Sequence, residues 1–422
     1  QHPTSYPHLT VAENIFMGNE QGRRGVIDWE LTRKKAKEYM ELVGLKEHPD
    51  TKIRNIGVGK QQLVEICKAI SKDVKLLILD EPTAALNDEE SDNLLNLVME
   101  FKKQGITSIL ISHKLREVTK VCDAITIIRD GQTIETLVKG KDEISEDRII
   151  KGMVGRELTN LFPARNCPVG EPVFEIRNWN VFDPNDENKQ VLKDISIYVR
   201  KGEVLGIAGL MGAGRTELAM SVFGRSYGRK ITGELKKDGH TLVLKDVAAA
   251  IRAGLAYVSE DRHEYGLIQG KSIKENITLP SLDHFIRRGA IDANKEIVVA
   301  NEYRDKLNIK SYNVEQDVGN LSGGNQQKVI FSKWVLSGAD ILILDEPTRG
   351  IDVGAKYEIY QVINELAAEG KSVIFISSDM PEILGMCDRV YIMNEGKMAG
   401  ELSKSEISQE NIMKAIMHQE EE

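Results

Sequence analysis

The stretch EVLGIAGLMGAGRTELAMSVF, residues 203–223, decides the fold. Its first six residues are an apolar run of strand length, and RTELAMSVF has the pattern of a helix. Between them Gly209, Gly212, Ala213 and Gly214 lie in a G-x-x-x-x-G-[K/R]-T loop. Backbone amides of such a loop wrap phosphate oxygens at a helix N-terminus. Thr216 stands where a Mg²⁺-binding hydroxyl belongs. Arg215 takes the place of the usual lysine, and its planar fork is not equivalent to a compact ammonium. A dinucleotide loop is a rival, but its G-x-G-x-x-G order is not met here. A glycine-rich turn with no ligand is the other alternative.

Working outward, the chain repeats itself. LLILDEPT at 76–83 returns as ILILDEPT at 341–348, a shift of 265, and residues 56–131 laid over 321–396 share 22 identities in 76 positions. This is a duplicated domain. Each copy alternates apolar strand runs with helical stretches, which predicts an α/β fold with a mainly parallel sheet. LLIL and ILIL are expected to be central strands buried on both faces. ITIIRDGQTIET and VYIMNEGKMAGEL predict hairpins turning at Asp130-Gly131 and Glu395-Gly396. FPARNCPVGEP, with three prolines, breaks any helix, so the linker is placed at 161–172, between a first domain at 1–160 and a second at 173–422.

The repeated acids carry chemistry. Asp80-Glu81 and Asp345-Glu346 each end an apolar strand, where open α/β sheets place their ligands. The first acid of each pair can hold Mg²⁺, and the second can orient and deprotonate an attacking water. Composition narrows the partners. With 29% charged residues and a net charge of −9, the 422 residues carry no basic footprint for nucleic acid. Cys67, Cys122, Cys167 and Cys387 form no C-x-x-C pair and read as reduced thiols. The eight histidines show no helical metal-ligand spacing. No apolar run is long enough to span a bilayer.

LSGGNQQK at 321–328 puts Ser322, Gly323 and Gly324 at the start of a helix, an anion-binding arrangement. Here the sequence resembles ATP-binding-cassette ATPases, and the Asn325-Gln-Gln form with the tandem layout resembles the monosaccharide-importer ATPases (ribose, galactose, xylose and multiple-sugar type). MSVFGRSYGR, VSEDRHEYGL and IGVGKQQLVEI are most similar to the xylose and multiple-sugar members. The resemblance covers essentially the whole chain. It implies two P-loop NTPase cassettes in tandem, each with a helical subdomain and an antiparallel β part. Gln1 stands at the family's Q-loop position and His113 at its switch position. The first cassette is therefore expected to begin upstream, with its P-loop about 50 residues before Gln1 by the repeat register.

The resemblance also implies head-to-tail pairing, in which each ATP meets one cassette's P-loop and the other's signature. One site then combines Gln1, Asp80, Glu81 and His113 with Ser322, Gly323, Gly324, Asn325 and Asp352. The other combines residues 209–216, Glu260, Asp345, Glu346 and Ser378 with Gly57, Val58, Gly59 and Asn87. Departures from the family pattern gather in the second: arginine for lysine, Ser378 for the histidine, and Gly57-Val58 for Ser-Gly. The expectation is one competent and one degenerate site. Trp179 or Phe182 is a candidate to stack on adenine, although a core aromatic is the simpler reading. Arg262 and His263 are candidates for a membrane-partner contact or a solvated face.

The expected function is an energy-coupling ATPase using ATP and Mg²⁺ at the cytoplasmic face of the membrane. Its expected partners are integral-membrane permease subunits and, indirectly, a sugar-binding protein, with no nucleic acid; self-association is a further possibility. Two alternatives stand beside it: a soluble tandem-cassette ATPase acting on ribosomes or nucleic acid, and a non-catalytic nucleotide-binding regulator.

Overall fold

In a computed structural model of the chain, the described residues are 5–23, 25–72, 74–83, 86, 88–112, 114–129, 131–154, 162–165, 167–210, 212–287 and 289–418. The chain divides into two compact units, Gln1–Leu158 and Thr159–Glu422.

The second unit is built on a six-stranded sheet. Its order is Leu255–Val258, Ile341–Asp345, Ser372–Ile376, Val204–Gly209, Arg389–Asn394 and Lys397–Ser403. The first five strands are parallel and the last is antiparallel. Ile341–Asp345, Ser372–Ile376 and Arg389–Asn394 are buried at every position, as the apolar runs that make up most of each strand demand. A second, antiparallel sheet of Pro172–Phe182, Gln190–Arg200, Arg229–Lys237 and His240–Leu242 lies beside it. The helices Ile273–Thr278, Ala293–Lys306 and Gly323–Leu336 pack on one another as a helical subdomain. The hairpin after Arg389–Asn394 turns at Glu395 and Gly396, both at positive φ (45° and 76°), which is the two-residue turn the sequence predicts.

The segment expected to be a linker is anchored in its described residues. Arg165 pairs with Asp388, Asn364 donates to the Pro163 carbonyl at 2.8 Å, and the Phe162 ring lies 5.2 Å from Tyr360. Its prolines do stop helix formation, but the extended chain they leave finds apolar and charged partners on the second unit.

In the first unit the helices Val11–Phe16, Trp29–Leu42 and Val58–Ile70 pack together around a core of their own. The duplication extends here beyond the 265 register. Thr10 and Glu13 form a capping box, as Ser272 and Glu275 do. Buried Asn14 bonds the backbone of Tyr6 and Thr10, as Asn276 does that of Ile268 and Ser272. The offset is now 262, so three residues separate the two registers.

Leu76–Asp80 pairs in parallel with Thr107–Ile111, and Ala124–Arg129 pairs with Gln132–Val138 as a hairpin. These two pairs do not join among the described residues. A cleft of about 830 Å³ lies between Thr107–Ile111 and Ala124–Arg129, where the second unit seats Val204–Gly209. Burial on both faces, expected of both copies, holds only in the second. Leu76 and Ile78 are exposed, Ile78 to 62%. In the second unit the helix Arg215–Val222 packs against the equivalent strand; among the described residues of the first unit no such helix does.

Candidate nucleotide site

The strand Val204–Gly209 runs into the loop and then directly into the helix Arg215–Val222. A side chain at Gly209 would meet the Met393 carbonyl oxygen at 2.3 Å, and Gly214 sits at φ 96° with Leu192 2.8 Å from its missing Cβ. Only glycine fits these two positions. Gly214 is the helix N-cap and offers no side-chain acceptor, which leaves the first-turn amides to an anion.

The acids stand on the neighbouring strand but one. Asp345 is fully buried; the Tyr257 hydroxyl donates to its Oδ2 at 3.1 Å, and its Oδ1 has no hydrogen-bond partner. Burial holds its carboxyl above the usual range, opposed by hydrogen bonds from Thr216 and Tyr257. An orphaned, buried carboxylate oxygen beside a threonine hydroxyl is the donor set of a hard divalent cation. Asp345 and Thr216 thus fit Mg²⁺, which would neutralise phosphate charge there.

Glu346 follows at φ 47°, its amide donating to Ile376 at 2.9 Å. Glu81 repeats this, at φ 46° with its amide donating to Ile111 at 2.8 Å. A left-handed glutamate costs energy, and the same strained turn in both copies aims a carboxylate off the strand end. Burial pushes the Glu346 carboxyl up to about 7, against the pull of Arg215 and a hydrogen bond from Ser378.

Arg215 lies folded back among these groups. Its Nη1 donates to the Ser377 carbonyl at 2.7 Å, and its Nη2 is 3.8 Å from Glu346 Oε1. The side chain is only 10% exposed. It connects the P-loop helix to the general-base candidate and to the loop that carries Ser378.

The other predicted residues fall as follows. Glu260 pairs with Arg349, and Arg262 donates to the carbonyls of Arg349 (3.0 Å) and Gly350 (3.4 Å), while His263 is exposed. Asp352 caps the helix Val353–Ala368 through the Ala355 amide at 2.9 Å. Ser322 caps the helix Gly323–Leu336, and Gly324 packs so tightly that an added Cβ would lie 2.6 Å from that of Ala355. Both polar ends of Asn325 are engaged within its own subdomain: it accepts from the Lys310 amide (2.8 Å) and donates to Ser322 Oγ (2.9 Å). Gly57 caps Val58–Ile70, the helix that contains Gly59, and has open space around it. Asp80 is exposed at the end of Leu76–Asp80. Gln1, His113 and Asn87, and the side chain of Val58, lie outside the described residues. Trp179 is core, 2% exposed, with Nε1 donating to Ser221. Phe182 is half-buried under Lys230, 5.7 Å from the ring centre.

Two features escaped the sequence reading. Tyr257 is one. The other is a buried glutamate, Glu382, which accepts from Thr348, Lys356, Tyr360 and Ser377 and so ties the strand-end acids to the Ser378 loop. Glu117 does the same for Thr83 and Ser112. The 265 register held the signal, since Thr83, Ser112 and Glu117 map onto Thr348, Ser377 and Glu382 as identities.

The family model for the ABC transporter matches residues 1–84 and 192–349, more than half of the chain. The chain belongs to the ABC transporter family. Its two units are ABC cassettes, and ATP is their ligand. An L-arabinose transport ATP-binding protein, AraG of Geobacillus stearothermophilus, is 58% identical over 97% of this chain and 80% of that protein. The xylose import ATP-binding protein XylG of Thermoanaerobacter pseudethanolicus is 48% identical over 98% of this chain and 81% of its own length. The ribose import ATP-binding protein RbsA of Lactococcus lactis is 46% identical, with 98% and 82% covered.

Proposed function

We propose that this chain is the ATP-hydrolysing, energy-coupling subunit of a monosaccharide importer, with one competent and one degenerate ATP site. Similarity across 97% of its length to an L-arabinose transport ATP-binding protein carries the importer reading. The relatives described above are named for L-arabinose, xylose and ribose, all pentoses, and this favours a pentose as the transported sugar. Integral-membrane permease subunits move the sugar, a sugar-binding protein delivers it, and the cassettes work on the cytoplasmic face.

Mg²⁺ accompanies ATP, held by Asp345 and Thr216 in the second cassette and by Asp80 in the first. Glu81 is the general base of the competent site. In the degenerate site Arg215 stands 3.8 Å from Glu346 and donates to the carbonyl of Ser377, next to the serine that replaces the switch histidine. The guanidinium is engaged with protein groups and is not equivalent to the compact ammonium that usually grips the phosphates, so ATP is held there and turned over slowly.

The test is uptake of labelled L-arabinose, xylose and ribose by cells carrying the intact gene with Glu81→Gln or Glu346→Gln. Glu81→Gln should lower uptake of one pentose by about 10²–10⁴-fold, the usual cost of a lost general base, and Glu346→Gln should be much milder. Equal defects would mean that both sites fire. Unchanged pentose uptake in the Glu81 variant would remove the importer reading.

A further inference from the structure

The strand Leu255–Val258 lies at the edge of the large sheet and pairs in parallel with Ile341–Asp345, Tyr257 opposite Ile343. From there the phenol reaches past the end of its neighbour to Asp345, with 3.1 Å between its oxygen and Oδ2. The ring is fixed from behind. Phe223, at the end of the P-loop helix, lies 5.6 Å from Tyr257 and 5.7 Å edge-on from Trp334. Tyr257 therefore has one side in the core and its hydroxyl on the carboxylate.

The other groups that support the carboxylate are the Thr216 hydroxyl, on the side where the metal would sit, and the Arg215 charge. Asp345 is fully buried, and no hydrogen-bond partner reaches Oδ1. A buried carboxylate can rotate about its terminal torsion unless something holds it, because that torsion is broad. Tyr257 supplies the hold, and it does so asymmetrically, by engaging one oxygen.

We propose that Tyr257 is a positioning residue for the metal of this site. By engaging Oδ2 it leaves Oδ1 as the oxygen that faces the Mg²⁺ ion brought in with ATP, beside the Thr216 hydroxyl. Tyr257 does not touch the nucleotide or the metal; it sets the orientation of a ligand that does, as hydrogen-bonded outer groups do at metal sites. The inference rests on residues 209–216 being a nucleotide cradle.

The experiment uses Tyr257→Phe in the full chain, which keeps the ring that packs on Phe223 and deletes only the hydroxyl. The affinity of a fluorescent ATP analogue is measured in EDTA and in Mg²⁺, and Mn²⁺ bound with ATP is counted by electron paramagnetic resonance. Metal-free affinity should match the parent. The gain in affinity on adding metal should fall about tenfold, equivalent to about 1.4 kcal/mol, with fewer Mn²⁺ ions retained. Thr216→Ala, which removes a direct ligand, is the reference for loss of the metal increment. An intact metal increment in Tyr257→Phe overturns the proposal, as does an equal loss of affinity with and without metal, which would make the residue a packing element. If the parent chain binds no nucleotide in either buffer, the cradle reading falls instead.

Discussion

Replacing Glu346 by glutamine should stabilise the empty second unit at alkaline pH and leave it unchanged at acid pH. Glu346 is held in a left-handed turn, largely buried, with its guanidinium neighbour at 3.8 Å and not in a close bidentate pair. Burial outweighs that neighbour and raises the carboxyl from 4.5 to about 7. The folded state thus binds the proton more tightly than the unfolded state. The contribution to stability is complete below about pH 4.5 and is lost as pH rises through about 7, because ionisation is easier in the unfolded chain. At 1.36 kcal/mol for each tenfold change, the loss is about 3 kcal/mol at pH 8. Glutamine keeps the shape and has no charge to lose. For a unit of this size that corresponds to a rise on the order of 5–10 °C in melting temperature. The measurement is scanning calorimetry of the nucleotide-free, metal-free chain and Glu346→Gln at pH 4.5 and pH 8. Coincident melting at pH 4.5 with a higher midpoint for the variant at pH 8 is the expected pattern. Equal midpoints at both pH values, or a less stable variant at pH 8, would mean that Arg215 fully compensates the buried carboxylate.

Arg389→Ala should destabilise the second unit by about 3–5 kcal/mol, because it strands a buried charge. Glu203 is 1% exposed and receives both Nε (2.9 Å) and Nη2 (3.2 Å) of Arg389. Denaturant unfolding of the single variant and of Arg389→Ala with Glu203→Gln checks this, the second change recovering part of the loss. A thiol reagent should modify half-buried Cys122 and Cys167 first and leave Cys67 and Cys387 until unfolding. Burial pushes the Cys67 thiol up to about 12 and raises that of Cys387 as well. Peptide mapping of partially labelled chain reports the order.

What the sequence revealed was local or repeated. The P-loop of the second cassette is contiguous, and its strand, turn and helix each follow from spacing and glycine chemistry. LSGGNQQK is also contiguous, and the strand-end acids were legible because they occur twice in one register. Several contacts that escaped join segments far apart along the chain. Tyr257 meets Asp345 across 88 residues, and Arg215 meets the Ser377 carbonyl across 162. Nothing in the pattern of either segment specifies that meeting; the order of strands in the sheet does. The proline-rich stretch shows the same limit. Prolines exclude helix but say nothing of side-chain partners, and Arg165 found Asp388 more than 200 residues away. The two apolar strands LLIL and ILIL read alike, yet differ in burial: the second has the helix Arg215–Val222 against it, and among the described residues of the first unit no helix takes that place.

The division of labour between the two sites is tested most directly by placing the same carboxylate at each signature. Ser322 and Gly57 are equivalent under the 265 shift, and both are helix N-caps in extended backbone, at φ −63° and −64°. Aspartate is a favoured N-cap, so Ser322→Asp and Gly57→Asp should both fold. Gly324 would be a poorer probe, since any side chain there meets Ala355. A carboxylate about 4 Å from a phosphate in a partly screened site costs about 4 kcal/mol, roughly a thousandfold. Steady-state ATP turnover of the protein from the intact gene, in complex with its permease, is the measurement. The account predicts that Ser322→Asp abolishes turnover and Gly57→Asp leaves most of it. Turnover lost in Gly57→Asp and kept in Ser322→Asp would place catalysis in the site that contains Arg215 and contradict the account.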